Sequence, residues 1–436
     1  MHNETASMIK RRPTAFGHTL SALLLVVALA GCTTNPVTGN RQLNLISEER
    51  EISIGEEQYQ PTLQTQGGRY DRDDDLNQYV DEVGQSLAQV SDRPDLPYEF
   101  EVINSGVPNA WALPGGKIAI NRGLLVELDN EAQLAAVLGH EVVHAAARHS
   151  AQRMQRGMLM QLGVAGIGLG VALSDNRYAP LVMGSAAIGS KLIMAQYSQA
   201  HEFEADRFGM EYMVDAGYHP DAAVELQETF VRLSEGGNND FISGLFQSHP
   251  PSPERVDANS MYASRLSRDG EFYEDRFQQH IAGLEKASDA YAAYDRARKA
   301  MKEEDGEKAL ALVESAIDQV PDEAAFYNLR ANIHRERDNT DRAIADYNTA
   351  VELYPEMFRY RLDRGLLHRE LENWQYAERD LKASVETVPT SIAYLGLGDA
   401  VRGQGQRSGA KQYYEQAARD EGRIGQLARQ RLEAMQ

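Results

Sequence analysis

The chain has a single cysteine, Cys32, in 436 residues, so no disulfide can form within it. It also lacks a long apolar run. Ala22 to Ala30 is too short to cross a bilayer, and the Gly-rich apolar stretches Met158–Leu173 and Leu181–Ala195 each fall short of a comfortable span. Those two stretches read as a buried helical hairpin, with a lid or a membrane-touching surface as the alternative. Positive charge is scarce as well: 44 Lys and Arg against 65 Asp and Glu leave a net charge of −21. Such a surface excludes nucleic acid as a partner. A chain of this length is expected to hold more than one domain.

What is present begins with a targeting signal. Lys10, Arg11 and Arg12 precede the short apolar stretch, which ends in Leu29-Ala30-Gly31-Cys32. A lone cysteine directly after small residues fits lipid attachment at Cys32, with a plain secretory signal and an incidental cysteine as the alternative. Residues 1–31 are therefore expected to be a lipoprotein signal peptide, and the polar, Gly/Pro-containing residues 32–46 a tether. Residues 1–31 carry a net +2, so the chain from Cys32 onward stands at −23. More than one acyl chain on Cys32 would anchor the protein stably. Thr33 in place of Asp after the cysteine resembles the sorting pattern of lipoproteins held at the outer membrane, facing the periplasm.

The chemistry is concentrated in His140-Glu141-Val142-Val143-His144. Residues four apart on a helix lie one above the other, so both imidazoles point the same way and can grip one zinc ion. Glu141 beside them is placed to take a proton from a water on that metal. A solvated surface helix is the bland alternative. Ala135, Ala136, Val137, Leu138, Val142 and Val143 argue for burial instead, and buried polar groups need partners, which a metal supplies. Zinc needs a third protein ligand. Downstream, Glu202 and Asp206 are four apart on a second helix, so one carboxylate can complete the metal shell while the other fixes an imidazole from behind. Glu204 lies about 200° round that helix and is expected to face solvent; His201, about 100° off the shared face, is the rival ligand.

His140-Glu141-x-x-His144 followed by Glu202-x-x-Ala205-Asp206 resembles the HtpX- and BepA-type zinc metallopeptidases. Asn109-Ala110-Trp111-Ala112-Leu113-Pro114-Gly115-Gly116, Gly123-Leu124-Leu125 and His249-Pro250-Pro251 with Arg255 match further segments of that family, over roughly residues 34–265. The resemblance implies that His140, His144 and Glu202 are the zinc ligands, one Zn2+ per chain, and that Glu141 is the catalytic base. Asp206 becomes the residue behind the ligands. His249 and Arg255 become active-site groups that contact the substrate carbonyl or gate the metal. Trp111 stands where the family more often has Phe. The implied fold is a mostly helical α+β catalytic domain of the zincin type (a gluzincin) with a small sheet.

The patterning supports this. Helix begins near Ser47; Tyr98–Val102 alternates as a half-buried strand, and Trp111–Leu113 and Lys117–Ile120 read as strands around the Pro114-Gly115-Gly116 turn. An exposed edge there would let a peptide substrate pair as an added strand. In the last third, Pro321, Pro355 and Pro389 recur every 34 residues, as do Ala309, Ala343 and Ala377. Small residues Ala297, Ala331, Gly365 and Gly398 fall where paired helices must meet closely. This is the period of tetratricopeptide repeats, an all-α solenoid. The expected organisation is a zinc metallopeptidase domain over 47–265, a linker helix over 266–289, four repeats over 290–424 and a C-terminal helix over 425–436. Tyr327, His334, Tyr360 and Tyr394 are candidate contacts on the concave face. By resemblance, the function is an envelope endopeptidase that cleaves misassembled outer-membrane or periplasmic proteins, partnered through its repeats with the outer-membrane protein assembly machinery. The alternative is a chaperone or assembly adaptor with latent proteolysis.

Overall fold

The computed structural model describes residues 32–157, 196–235 and 245–435. The targeting segment 1–31 and the apolar stretches at 158–173 and 181–195, with the hairpin expected there, lie outside the described residues.

Residues 32–46 differ from the expected free tether. Strands β1 (Cys32–Thr34) and β2 (Arg41–Leu43) pair antiparallel, and Asn35, Val37 and Ile46 are buried. Asn35 Nδ2 donates to the carbonyl of Ala147, 3.3 Å away, because that carbonyl ends a buried helix and needs a donor.

The N-terminal part is built around one buried helix. Helix α1 (Glu48–Gln66) starts where Ser47 Oγ accepts from the N–H of Arg50, and α2 (Asp74–Gln89) where Asp73 Oδ1 accepts from the N–H of Leu76. A three-stranded sheet follows, made of β3 (Glu99–Ile103), β4 (Ala110–Leu113) and β5 (Lys117–Asn121). Its order is β3-β5-β4, with β3 parallel and β4 antiparallel to β5. Gly115 and Gly116, at φ +78° and +84°, provide the left-handed turn between β4 and β5. After the short α3 (Arg122–Leu125), Asn130 caps α4 (Glu131–Ala146), every residue of which is buried except the partly exposed His140. A helix so apolar on all sides belongs in a core. Packed around it are α5 (Gln199–Asp215) and α6 (Asp221–Glu235), with α7 (Leu245–Ser248), α8 (Pro253–Ala263) and α9 (Glu274–Lys286) completing this part.

Four antiparallel helix pairs then run from α10 (Ser288–Lys302) and α11 (Gly306–Gln319), through α12 (Ala324–Glu336) with α13 (Thr340–Leu353) and α14 (Phe358–Glu370) with α15 (Trp374–Thr387), to α16 (Ser391–Gly403) and α17 (Arg407–Ala417). A last helix, α18 (Arg423–Glu433), closes the row. The recurrent small residues explain the stacking. Ala309, Ala343, Ala377 and Ala410 are fully buried, and a Cβ on Gly398 would meet the ring of Tyr414 at 2.4 Å. The N-terminal part is α+β and mostly helical and the repeats all-α, as the patterning predicts.

The first repeats are in contact with the N-terminal part of the same chain. Glu323, buried, accepts from Tyr291 Oη at 2.6 Å and from Asn104 Nδ2 at 3.1 Å. Gln64 at the end of α1 accepts from the N–H of Phe358 at 2.9 Å, and the Arg122 guanidinium lies 3.4 Å over the ring of Tyr291. His334 and Tyr360, expected on the concave face, are corrected: both are buried, His334 against Asp346 within the repeats. Tyr327 and Tyr394 are half-buried.

Candidate metal centre

Two glycines set the distance between the helices that carry the site. A Cβ on Gly209 of α5 would lie 3.1 Å from the backbone nitrogen of His140, and one on Gly139 of α4 would lie 3.2 Å from the carbonyl oxygen of Gly209. The antiparallel helices touch there, which puts Asp206 opposite His140 and Glu202, one turn further, opposite His144.

Four side chains converge. His140 Nε2 lies 3.0 Å from His144 Nε2 and 3.2 Å from His249 Nδ1. Glu202 reaches to 3.4 Å from His144 Nε2, 3.6 Å from His140 Nε2 and 3.2 Å from His249 Nδ1. His140, His144, Glu202 and His249 are the one group with metal-ligand character among the described residues. The donor set fits zinc: a tetrahedral ion with bonds of about 2.0–2.1 Å needs ligand atoms about 3.3 Å apart. The proton count fits too. Asp206 Oδ1 accepts from His140 Nδ1 at 2.9 Å, which leaves His140 Nε2 as a bare lone pair facing another imidazole nitrogen. Nitrogen and carboxylate acceptors packed this closely, away from water, call for a cation.

Electrostatics follow from burial and neighbours. Burial holds the pKa of His144 well below the ordinary histidine value, so it stays neutral as a ligand must. Burial raises that of Glu141, whose Oε2 meets no partner among the described residues and whose Oε1 is 3.5 Å from His249 Nε2. Burial works against charge on Glu202, yet His249 and bonds from His144 and His249 hold its pKa well below the usual carboxylate range. Burial likewise opposes charge on His249, but Glu202 and Glu141 outweigh it and push its pKa up.

Arg255, which the resemblance placed in contact with the substrate carbonyl or as a gate on the metal, faces the carboxylates of the site itself. It is 3% exposed and fully engaged: Nε and Nη2 donate to Asp206 at 2.7 and 2.6 Å, and Nη1 lies 3.0 Å from Glu202 and donates to the carbonyl of Pro250 at 3.1 Å. A planar fork between two carboxylates is used up before it can reach a ligand. His201 is also outside the cluster; its ring stacks on His149 at 4.1 Å, and burial lowers its pKa to about 3. Glu204, expected in solvent, is half-buried with Oε1 3.2 Å from His149 Nε2. Helical angle alone missed this because a residue beyond α4 reaches across to it.

Sequence reasoning passed over His149 and Tyr197. The ring of Tyr197 stacks on His144 at 3.8 Å, and His149 Nδ1 lies 2.8 Å from His144 Nδ1. The available signal was a histidine five residues past the motif, in the same apolar neighbourhood. Beside His140, Glu141 and His249 opens an apolar cavity walled by Val137, Met210, Leu226, Phe230 and Leu245. On the far side, β4 is an edge strand. The bond from Asn121 N–H to the Asn109 carbonyl sets a register in which Ala110 and Ala112 turn their backbone groups away from β5, but Ala110 is 0% and Ala112 4% exposed, so this edge is buried rather than open as expected.

Residues 74–263 match the model of peptidase family M48, and residues 294–358 match a tetratricopeptide repeat model. The mitochondrial metalloendopeptidase OMA1 of Schizosaccharomyces pombe is 30% identical over 226 residues, 51% of this chain and 63% of that protein. The beta-barrel assembly-enhancing protease of Escherichia coli K12 is 28% identical over 190 residues, covering 42% and 38%. Metalloprotease LoiP of the same organism is 30% identical over 176 residues, covering 40% and 65%. The match thus spans less than two thirds of each of these relatives. The chain carries a peptidase family M48 domain, followed in the same polypeptide by tetratricopeptide repeats.

Proposed function

We propose that this protein is a zinc-dependent endopeptidase of the bacterial cell envelope, acting on misassembled outer-membrane or periplasmic proteins. The observation that carries the reading is the convergence of His140, His144, Glu202 and His249 beside the buried Glu141. His140, His144 and Glu202 would hold the zinc, which when bound supplies Lewis-acid activation of water and of the scissile carbonyl. The apolar cavity beside the cluster takes one side chain of the peptide. Glu141 accepts the proton of the attacking water and delivers it to the leaving amine; its raised pKa suits a group that must both take and give. Asp206 and Arg255 position the ligands. The test is metal content. Glu202→Ala should lose zinc as His140→Ala does, whereas His201→Ala should keep about one ion per chain; the reverse pattern would assign the third ligand to His201.

His249 lies among the ligand atoms, which supports its role as a gate occupying the position that water needs. His249→Ala is expected to raise peptidase activity and self-cleavage with zinc retained. Loss of activity with unchanged zinc would make it an oxyanion donor instead.

The envelope assignment rests on the targeting signal, on Cys32 and on likeness to a beta-barrel assembly-enhancing protease. No helix among the described residues is long and apolar enough to cross a membrane. Lipid on Cys32 provides the anchor: Cys32→Ser should abolish labelling by a fatty-acid probe, and absence of label on the wild type would remove the anchor. The later repeats remain available for a protein partner in outer-membrane assembly.

A further inference from the structure

We propose that His149 and Glu204 form a relay that fixes the tautomer and ring plane of His144 and so sets the strength of the metal site. The proposal rests on reading that site as a metal centre. His144 can offer Nε2 to a cation only if its single proton sits on Nδ1. That proton points at His149 Nδ1, 2.8 Å away, and both rings are fully buried, so no water competes. His149 accepts on Nδ1 only if its own proton is on Nε2, and there Glu204 Oε1 waits at 3.2 Å. The opposite arrangement fails at both ends. His149 donating to His144 would place a proton on the metal-facing nitrogen and turn a lone pair of His149 toward the Glu204 carboxylate. Glu204 therefore selects the tautomer two rings away.

The backbone is bent to make this contact. Arg148 has φ +62°, a left-handed conformation that a side chain resists, and it directly precedes His149. The buried Arg148 is held by Glu51, which accepts from Nε at 2.8 Å, and by the Ile46 carbonyl, which accepts from Nη2 at 2.6 Å. This break after α4 turns the chain back so that His149 meets the edge of His144. The next residue, Ser150, bonds the hydroxyl of Tyr197 at 3.0 Å, and that ring covers the face of His144. His201 stacks on the outer side of His149 and keeps it from turning. Two successive side chains thus hold one ligand by edge and by face. His149 and Glu204 are positioning residues, since neither lies in the four-donor cluster.

The test uses the full chain, with zinc affinity read by competition against a chromophoric chelator and ligand geometry by the visible spectrum of the cobalt(II) form. Glu204→Leu and His149→Leu should each weaken zinc binding about 10- to 100-fold and shift the cobalt spectrum. Glu204→Gln, which keeps an acceptor oxygen, should recover part of the loss. The double variant should bind no more weakly than His149→Leu alone, because the two residues act in series. Unchanged affinity and spectrum in Glu204→Leu, or losses that simply add in the double variant, would overturn the relay. Glu204 is part-exposed, so its variants decide the matter even if His149→Leu does not fold. His140→Ala is the reference. If it binds zinc as tightly as wild type, the metal reading itself falls, and with it the relay.

Discussion

Glu141→Gln is expected to reduce peptide hydrolysis by about 10²- to 10⁴-fold while leaving about one zinc per chain. The two readouts separate because Glu141 is not among the four converging donors, although it is 1% exposed and borders the same space. Gln has the same shape, so the surrounding Val142, Val143 and His249 need not move. What is lost is the ability to accept a proton, and an amide cannot substitute for that at neutral pH. Metal content by elemental analysis and turnover of an unfolded protein substrate, measured on one preparation, check the prediction. Activity within tenfold of wild type would remove Glu141 as the base; loss of zinc along with activity would make it part of the metal shell.

Arg255→Ala should produce the largest loss of stability, about 3–5 kcal/mol in the metal-free protein, and should weaken zinc binding as well. The physical reason is the number of charges that depend on it. Asp206 and Glu202 are both buried, and one guanidinium touches both. Without it, two carboxylates remain out of water and a few ångströms from each other's partners. Bound metal would offset part of that cost, so urea unfolding of the chelated protein is the measurement. Arg255→Lys should rescue little, because an ammonium cannot span Asp206, Glu202 and the Pro250 carbonyl as a planar fork does. A change below 1 kcal/mol would show that water compensates the pair and that the cluster is more open than its burial indicates.

The legible part of this protein was local. Spacing of four placed His140 and His144 on one helical face, and likewise Glu202 and Asp206, because 3.6 residues per turn is a property of the backbone alone. The 34-residue period declared the repeats for a similar reason: each helix pair must present small residues where it meets its neighbour. Alternation and a Pro114-Gly115-Gly116 turn marked β4 and β5. Tertiary structure decided the rest. That Asp206 rather than Glu202 sits behind His140 depends on where α4 and α5 cross, at Gly139 and Gly209. That Arg255 faces carboxylates instead of substrate depends on α8 folding back over α5, 49 residues away in the chain. The burial of His334 and Tyr360, and the contact of Asn35 with the Ala147 carbonyl 112 residues away, depend on segments that only the tertiary structure brings together. The sequence by itself determined that His140 and His144 share one face and Glu202 and Asp206 another, since both follow from helix geometry, while Glu202 as the third ligand rested on family resemblance. Which atoms protonate, orient and cover those ligands was left to contacts between distant segments, whose distances no local periodicity encodes.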